Sequence, residues 1–229
     1  EGNLLLDPSI HIQDPNGKWQ GSFELPVNLH IQNDEKGPRS NGSFEGLTFT
    51  GDYKTMYVNV EEPLYEDGPR AGTGDSSAWT RILKYDVETR KPLAQYAYPI
   101  DPVAYPPLPA GAFKINGVSE ILWVGKDRLL VIERSFSTGR PGCVIKIYLA
   151  DLSGADDVSA IVSLKEKKTK KPVSKKLLLN MESLGIPVYN IEGVTFGPEL
   201  SNGHKTLIFV ADDNFSAVDK TQFLLFEVY

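Results

Sequence analysis

Apolar and polar positions alternate in short runs along almost the whole chain, and three of these runs follow a common plan. The clearest extends from Phe44 to Leu64, FEGLTFTGDYKTMYVNVEEPL. It returns as VSEILWVGKDRLLVIERSF from Val118 to Phe136, and as IEGVTFGPELSNGHKTLIFVADDNF from Ile191 to Phe215. In each copy a Glu opens a short apolar strand, a Gly-containing turn follows, and a second apolar strand ends in acid. The openers are Glu45, Glu120 and Glu192. The closers are Glu61 with Glu62, Glu133 with Arg134, and Asp212 with Asp213. Period-two alternation bounded by Gly, Pro, Asn and Asp predicts strands, and repetition of one plan marks a repeat architecture.

In chain order, PSIHI and WQGSFELP predict two strands around DPNGKW, whose Asp-Pro and Asn-Gly steps favour a turn. A polar loop from Asn28 to Ser43 then brings Asn41 next to the first opener. Strands over Gly46 to Thr50 and Thr55 to Val60 follow, then a long loop from Glu61 to Ala78, then TRILKYDV and PLAQYAYPI. Four strands in succession are the makeup of one propeller blade. The second unit repeats the order as SEILWVG, RLLVIERS, VIKIYLADL and a short SAIVSL. The third, after KLLLNMESLGIPVYN, gives EGVTFGP, KTLIFVADD and QFLLFEVY. The expectation is an all-β propeller domain spanning residues 1–229.

Adjacent strands of such a meander are antiparallel, so the start of the first lies beside the end of the second, and opener meets closer. Radial repetition then predicts that Glu45, Glu120 and Glu192 converge at one channel mouth, surrounded by Glu61 or Glu62, Glu133, and Asp212 or Asp213. Like charges gathered this closely raise one another's pKa and call for a cation. Hard oxygen donors suit calcium, which accepts about six to eight oxygens, amide oxygens included; Asn41, Asn190 and Asn214 stand in or beside the copies. Arg81 and Arg134 are the expected guanidinium groups for an anionic substrate, and equally the expected partners of neighbouring acids.

Charge and composition narrow the function classes. The net charge of −6 argues against a general nucleic-acid binder. A single cysteine, Cys143, excludes an internal disulfide and Cys-rich zinc spacing. The histidines His11, His30 and His204 lie away from the acidic ends, so zinc is poorly supported. No apolar run approaches the ~20 residues of a membrane span. The run KEKKTKKPVSKK from Lys165 to Lys176 reverses the local charge and is expected to be a solvated loop beside a strand. The tyrosines Tyr85, Tyr96, Tyr98 and Tyr148, with Trp123, alternate within strands and are expected in the core.

Taken together, NGSFEGLTF, EEPLYEDG, SSAWTRILKYD, YAYPID, VSEIL, LLVIERS, NIEGVTFGP and ADDNF followed by TQFLLFEV resemble the phytase-like family described by an esterase-like activity of phytase. The resemblance covers Asn41 to Val228. It implies a six-bladed propeller, usually exported from the cell to the periplasm or exterior. At roughly forty to fifty residues per blade, this chain supplies roughly four to five blades, and upstream blades are expected to be missing.

The chemistry expected from this set is calcium-assisted hydrolysis of a phosphate ester or other small anionic substrate. Glu45, Glu120, Glu192, Arg134 and Arg81 are the catalytic candidates. Glu45, Glu62, Glu120, Glu133, Glu192, Asp212, Asp213 and Asn214 are the metal candidates. A noncatalytic calcium- or ligand-binding module is the rival reading. A carboxyl esterase is the third, although no Gly-x-Ser-x-Gly elbow occurs and no histidine is placed to activate Ser76 or Ser77.

Overall fold

The computed structural model describes residues 6–32, 34–74, 78–167, 169–217 and 219–229; Ser76 and Ser77 lie outside them. Among the described residues there is no α-helix, and the strands form four antiparallel sheets. Among the described residues no helix is long and apolar enough to cross a membrane. A hairpin of β1 (His11–Gln13) and β2 (Trp19–Ser22) precedes a four-stranded meander of β3 (Phe44–Phe49), β4 (Thr55–Val60), β5 (Ala78–Asp86) and β6 (Pro92–Ile100). The second meander holds β7 (Lys114–Gly125), β8 (Arg128–Ser137), β9 (Val144–Asp151) and β10 (Ser174–Asn180). The third sheet is three-stranded, with β11 (Asn190–Phe196), β12 (Lys205–Asp212) and β13 (Gln222–Val228).

The sheets pack face to face in succession. Tyr57, Ile82, Tyr98, Val118, Ile121, Val131 and Tyr148 fill the space between the two meanders. Ile132, Ile145, Ile147, Ile191, Phe209 and Ala211 fill that between the second meander and the third sheet. Met56, Val58, Val60, Leu83 and Tyr85 are covered from the other side by Phe23, Leu25 and Leu29. Middle strands are therefore buried on both faces, which is why TMYVNV in β4 reads as a nearly unbroken apolar run. The first strands lie together, β7 beside both β3 and β11.

One strand differs from expectation. The fourth strand of the second meander is β10, SKKLLLN, which pairs along β9 from Ser174↔Asp151 to Asn180↔Lys146. SAIVSL instead packs its Ile161 and Leu164 with Ala97 of β6, and just before it the Val158 amide donates to the Gln95 carbonyl (2.8 Å) and Asp157 accepts from the Gln95 amide (3.0 Å). The basic run is likewise only partly solvated. Its Lys175 is carried inward by β10 and bonds to Glu133 and to Asp101, the latter at 2.8 Å.

Candidate functional site

Each inner strand pair carries a β-bulge at its opener. Pairing slips between Phe44 and Leu47, between Val118 and Glu120, and between Ile191 and Gly193. A bulge inserts an unpaired residue and re-aims its side chain; three bulges at equivalent places give the copied glutamates a common departure from the ladder. At the first, β3 approaches β7 so closely that a Cβ on Gly46 would lie 2.5 Å from Asn59 Oδ1 and 2.6 Å from Glu120 Oε1. Asn59 fills this junction, accepting from the Gly46 amide (3.0 Å) and donating to the Val118 carbonyl (2.8 Å).

Above the junction opens a cleft of about 640 Å³. Its floor is ionic, with Glu45 and Glu61 from the first meander, Arg134 from β8, and Asn190 and Glu192 from β11. Arg134 joins all three sheets. Its Nη2 donates to Glu61 Oε1 at 3.0 Å, and its Nη1 donates to both Asn190 Oδ1 and Glu192 Oε1. Asn190 Nδ2 in turn donates to Glu192 Oε1 (2.8 Å). Asn41, Asn214 and Asp219 stand around the cleft, and Phe113, Ile115, Phe136 and Tyr189 supply apolar lining.

Glu45 and Glu61 line the same cleft beside Arg134. Burial pushes the Glu61 carboxyl up to about 7; Arg134 opposes the rise, and the charges of Glu45 and Glu62 add to it. Glu45 is raised too, by burial and then by Glu192, against the pull of Arg134. Burial and mutual repulsion thus both act against ionising the two carboxyls together. Burial also raises Glu120 to about 7, against amide hydrogen bonds from Ile121 and Leu47 and with Glu45 adding repulsion. It sits behind Glu45, outside the cleft lining.

Glu45, Glu192 and Arg134 are thus brought together as expected, and Asn214 borders them. Others are not. Glu62 points away from the cleft into a pair with Arg70 (Nη2 to Oε1, 3.1 Å) and near Arg39. Glu133, almost fully buried, accepts from Tyr98 (2.9 Å), Asn116 (2.9 Å), the Asp101 amide (3.0 Å) and Lys175. Arg81 has no exposed surface and grips Asp67 with two bonds of 2.6 and 2.7 Å, while also donating to Gln95, Val158 and Ile161. It fastens the interior and does not reach the cleft. Asp212 faces solvent opposite Asn190 in the ladder, and Asp213 caps its turn by accepting from the Phe215 amide (3.0 Å).

The physical reason for the split is the period of two in a strand. Consecutive side chains leave on opposite faces, so of Glu61 and Glu62 only one enters the cleft, and of Glu133 and Arg134 likewise one. Glu61 was one of two adjacent acids, and the sequence alone favoured its neighbour. Asn190 was visible as an amide beside Glu192. Nothing in the pattern marked Phe113 or Asp219.

As a calcium site, the cleft offers suitable donors in Glu45, Glu61, Glu192 and three asparagine amides. In the present arrangement, oxygens of Glu61, Asn190 and Glu192 are turned to Arg134, and among the described residues no group of three or more His, Cys, Asp or Glu side chains is drawn together around one point. The donor chemistry fits calcium, whereas the arrangement fits a guanidinium.

Fold and cleft together define an all-β protein of successive antiparallel sheets whose inner strands meet at a carboxylate–guanidinium site. The family model "Phytase-like: Esterase-like activity of phytase" matches residues 1–215, and the chain belongs to that family. An "Uncharacterized secreted protein" of Arthroderma benhamiae is 28% identical over 155 residues, covering 61% of this chain and 30% of the relative. The chain thus spans about 30% of the length of that curated relative. No solved structure matches it significantly.

Proposed function

We propose that this chain is an exported, phytase-like β-propeller domain over residues 1–229 that hydrolyses an ester, in the first place a phosphate ester, at the cleft of Glu45, Glu61, Arg134 and Glu192. The observation that carries the reading is the convergence of Glu45, Glu61 and Glu192 around the Arg134 guanidinium in one cleft. A carboxyl raised to about 7, that of Glu61, beside the raised carboxyl of Glu45, can give or take a proton at the pH where an enzyme works. Glu45, open to the cleft, exchanges the proton with water or the leaving oxygen; Glu61, held by Arg134, is its buried partner. Successively packed meanders with adjoining first strands support the propeller, and the secreted relative supports a periplasmic or extracellular location.

Charge balance supports a cation in this reaction. Glu45, Glu61 and Glu192 outnumber Arg134, so an anionic phosphate meets net repulsion unless protons or a metal offset it. Glu192, Asn41 and Asn214 are the residues that would hold calcium, which when bound would supply charge compensation and polarise the phosphoryl oxygen. A noncatalytic ligand-binding module is the second reading, favoured by one observation: Arg134 is already engaged by three side chains.

Phosphomonoesters and inositol hexakisphosphate, assayed with calcium and with chelator, test this reading alongside Glu45→Gln and Glu61→Gln. Release of phosphate that needs calcium and falls at least about a hundredfold in both variants is the expected result. Calcium binding by calorimetry without turnover would favour the binding module.

A further inference from the structure

We infer that the ester taken by this cleft carries an aromatic ring on its leaving oxygen, and that Phe113 and Phe136 seat that ring. The inference rests on the hydrolase reading and names its substrate class as an aryl ester. Phe113 is 53% exposed and Phe136 37%, and their ring centroids lie 6.2 Å apart with the planes inclined at 40°. Ile115, directly opposite Phe136 in the β7–β8 ladder, continues the apolar wall, and Tyr189 lines the same cleft.

The burial pattern at this end of β7 and β8 is inverted. Asn116, Ser135 and Ser137 face the interior, at 3%, 6% and 4% exposure, while Ile115 and Phe136 face the cleft. Each of these side chains makes a hydrogen bond, although Asn116 Oδ1 is left without one: Asn116 donates to the Asp101 carbonyl (2.9 Å), Ser135 accepts from the Ala104 amide (3.0 Å), and Ser137 donates to the Tyr105 carbonyl (2.6 Å). A strand that only needed stability would turn its Phe inward and its Ser outward. The inversion instead lays aromatic surface beside an ionic floor.

Spacing links the two. Arg134 and Phe136 are two residues apart on one face of β8, about 7 Å along the strand. A ring stacked on Phe136 leaves an ester bonded to it within reach of Arg134 and the Glu45–Glu61 pair. Hydrolysis there balances without a further reactant. The water oxygen bonds to the phosphoryl or acyl centre, the bond from that centre to the aryl oxygen breaks, and the leaving aryloxide takes a proton from the carboxyl pair. The attacking water returns a proton to the pair. A highly charged polyol phosphate would leave the aromatic wall unused.

The test compares inert probes with substrates. Phenylphosphonate and methylphosphonate are titrated by calorimetry into the wild type, Phe113→Leu and Phe136→Leu, and thermal midpoints are recorded. Turnover of 4-nitrophenyl phosphate, 4-nitrophenyl acetate and inositol hexakisphosphate is measured in parallel, the first two separating phosphoryl from acyl esters. Expected is about tenfold tighter binding of the phenyl probe, or about 1.4 kcal/mol, lost in either variant at unchanged thermal midpoint, as an aromatic pair can supply. Equal binding of the two probes, binding of neither, or a phenyl preference that survives both substitutions overturns the ring seat. Turnover without aryl preference defeats this inference and leaves the hydrolase reading standing. Aryl preference in binding without turnover of any ester does the reverse, keeping the seat and removing the hydrolase.

Discussion

Nη2 of Arg134 lies 3.0 Å from Oε1 of Glu61, while Nη1 of the same guanidinium holds Glu192 on the neighbouring sheet. Burial alone would weaken the charge of Arg134, but Glu61 and Glu192 together more than offset this and hold it protonated. Removing one partner of a buried pair leaves the other charge uncompensated. Arg134→Met is therefore expected to cost about 3–5 kcal/mol at pH 8, measured by denaturant unfolding. The loss should shrink at pH 5, where Glu61 carries a proton. A loss equal at both pH values would show that Glu61 is not the group left exposed to the defect.

The raised carboxyls set the pH dependence of stability. Glu61 and Glu120 are lifted from their ordinary 4.5 to about 7, chiefly by burial. Between those values the folded chain binds protons more tightly than the unfolded one. Their contribution is whole below about 4.5 and is lost as pH rises through 7. Glu61→Gln and Glu120→Gln should each flatten the fall in unfolding midpoint from pH 5 to 8. Asp101 acts in the opposite sense. Burial works against its charge, but Lys175, Tyr148 and Lys146 hold it near 2, so its contribution disappears as pH falls from 3.8 through 2.

Lysines of one basic run should behave in two ways. Lys175 bonds to Glu133 and Asp101, and its ammonium sits 4.2 Å from the Tyr148 ring centroid and 5.0 Å from that of Tyr98. Lys167 and Lys170 are exposed. Thermal or chemical unfolding should record a loss of about 3–5 kcal/mol for Lys175→Met and less than about 0.5 kcal/mol for Lys167→Gln or Lys170→Gln. Similar effects at all three positions would contradict the inward placement of Lys175.

Arg81 separates an interior role from a catalytic one. Its bidentate grip on Asp67 is fully buried. Arg81→Lys keeps the charge but loses the fork, and should destabilise by about 2–4 kcal/mol with kcat/KM unchanged for the protein that remains folded. The double variant Arg81→Leu with Asp67→Leu should recover part of the loss of Arg81→Leu alone. A selective fall in turnover at full stability would return Arg81 to the active machinery.

Close approach of β3 and β7 depends on Gly46. An added methyl would meet Asn59 Oδ1, Glu120 Oε1 and the Ile121 amide, all nearer than 2.7 Å. Gly46→Ala should cost about 1–3 kcal/mol in unfolding measurements and lower turnover, because Glu45 is the preceding residue on the bulge. Wild-type stability in this variant would mean that the junction yields more readily than its geometry implies.

Strand alternation, the three copied hairpins and the meeting of opener with closer were legible in the sequence, because they depend on local periodicity and on antiparallel neighbours. Glu45, Arg134 and Glu192 could be named from those copies. Which acid of each adjacent pair faces the cleft could not, since a shift of one residue reverses the face and the bulges that set it are tertiary. The same holds for β10, where KKLLLN and SAIVSL are both plausible strands and pairing with β9 chose one. Arg81 and Arg134 look alike in sequence as Arg within apolar strands. Only the packing of sheets decided that one would be sealed against Asp67 and the other would join three sheets at the cleft, because burial and partners are properties of surfaces that meet far apart along the chain.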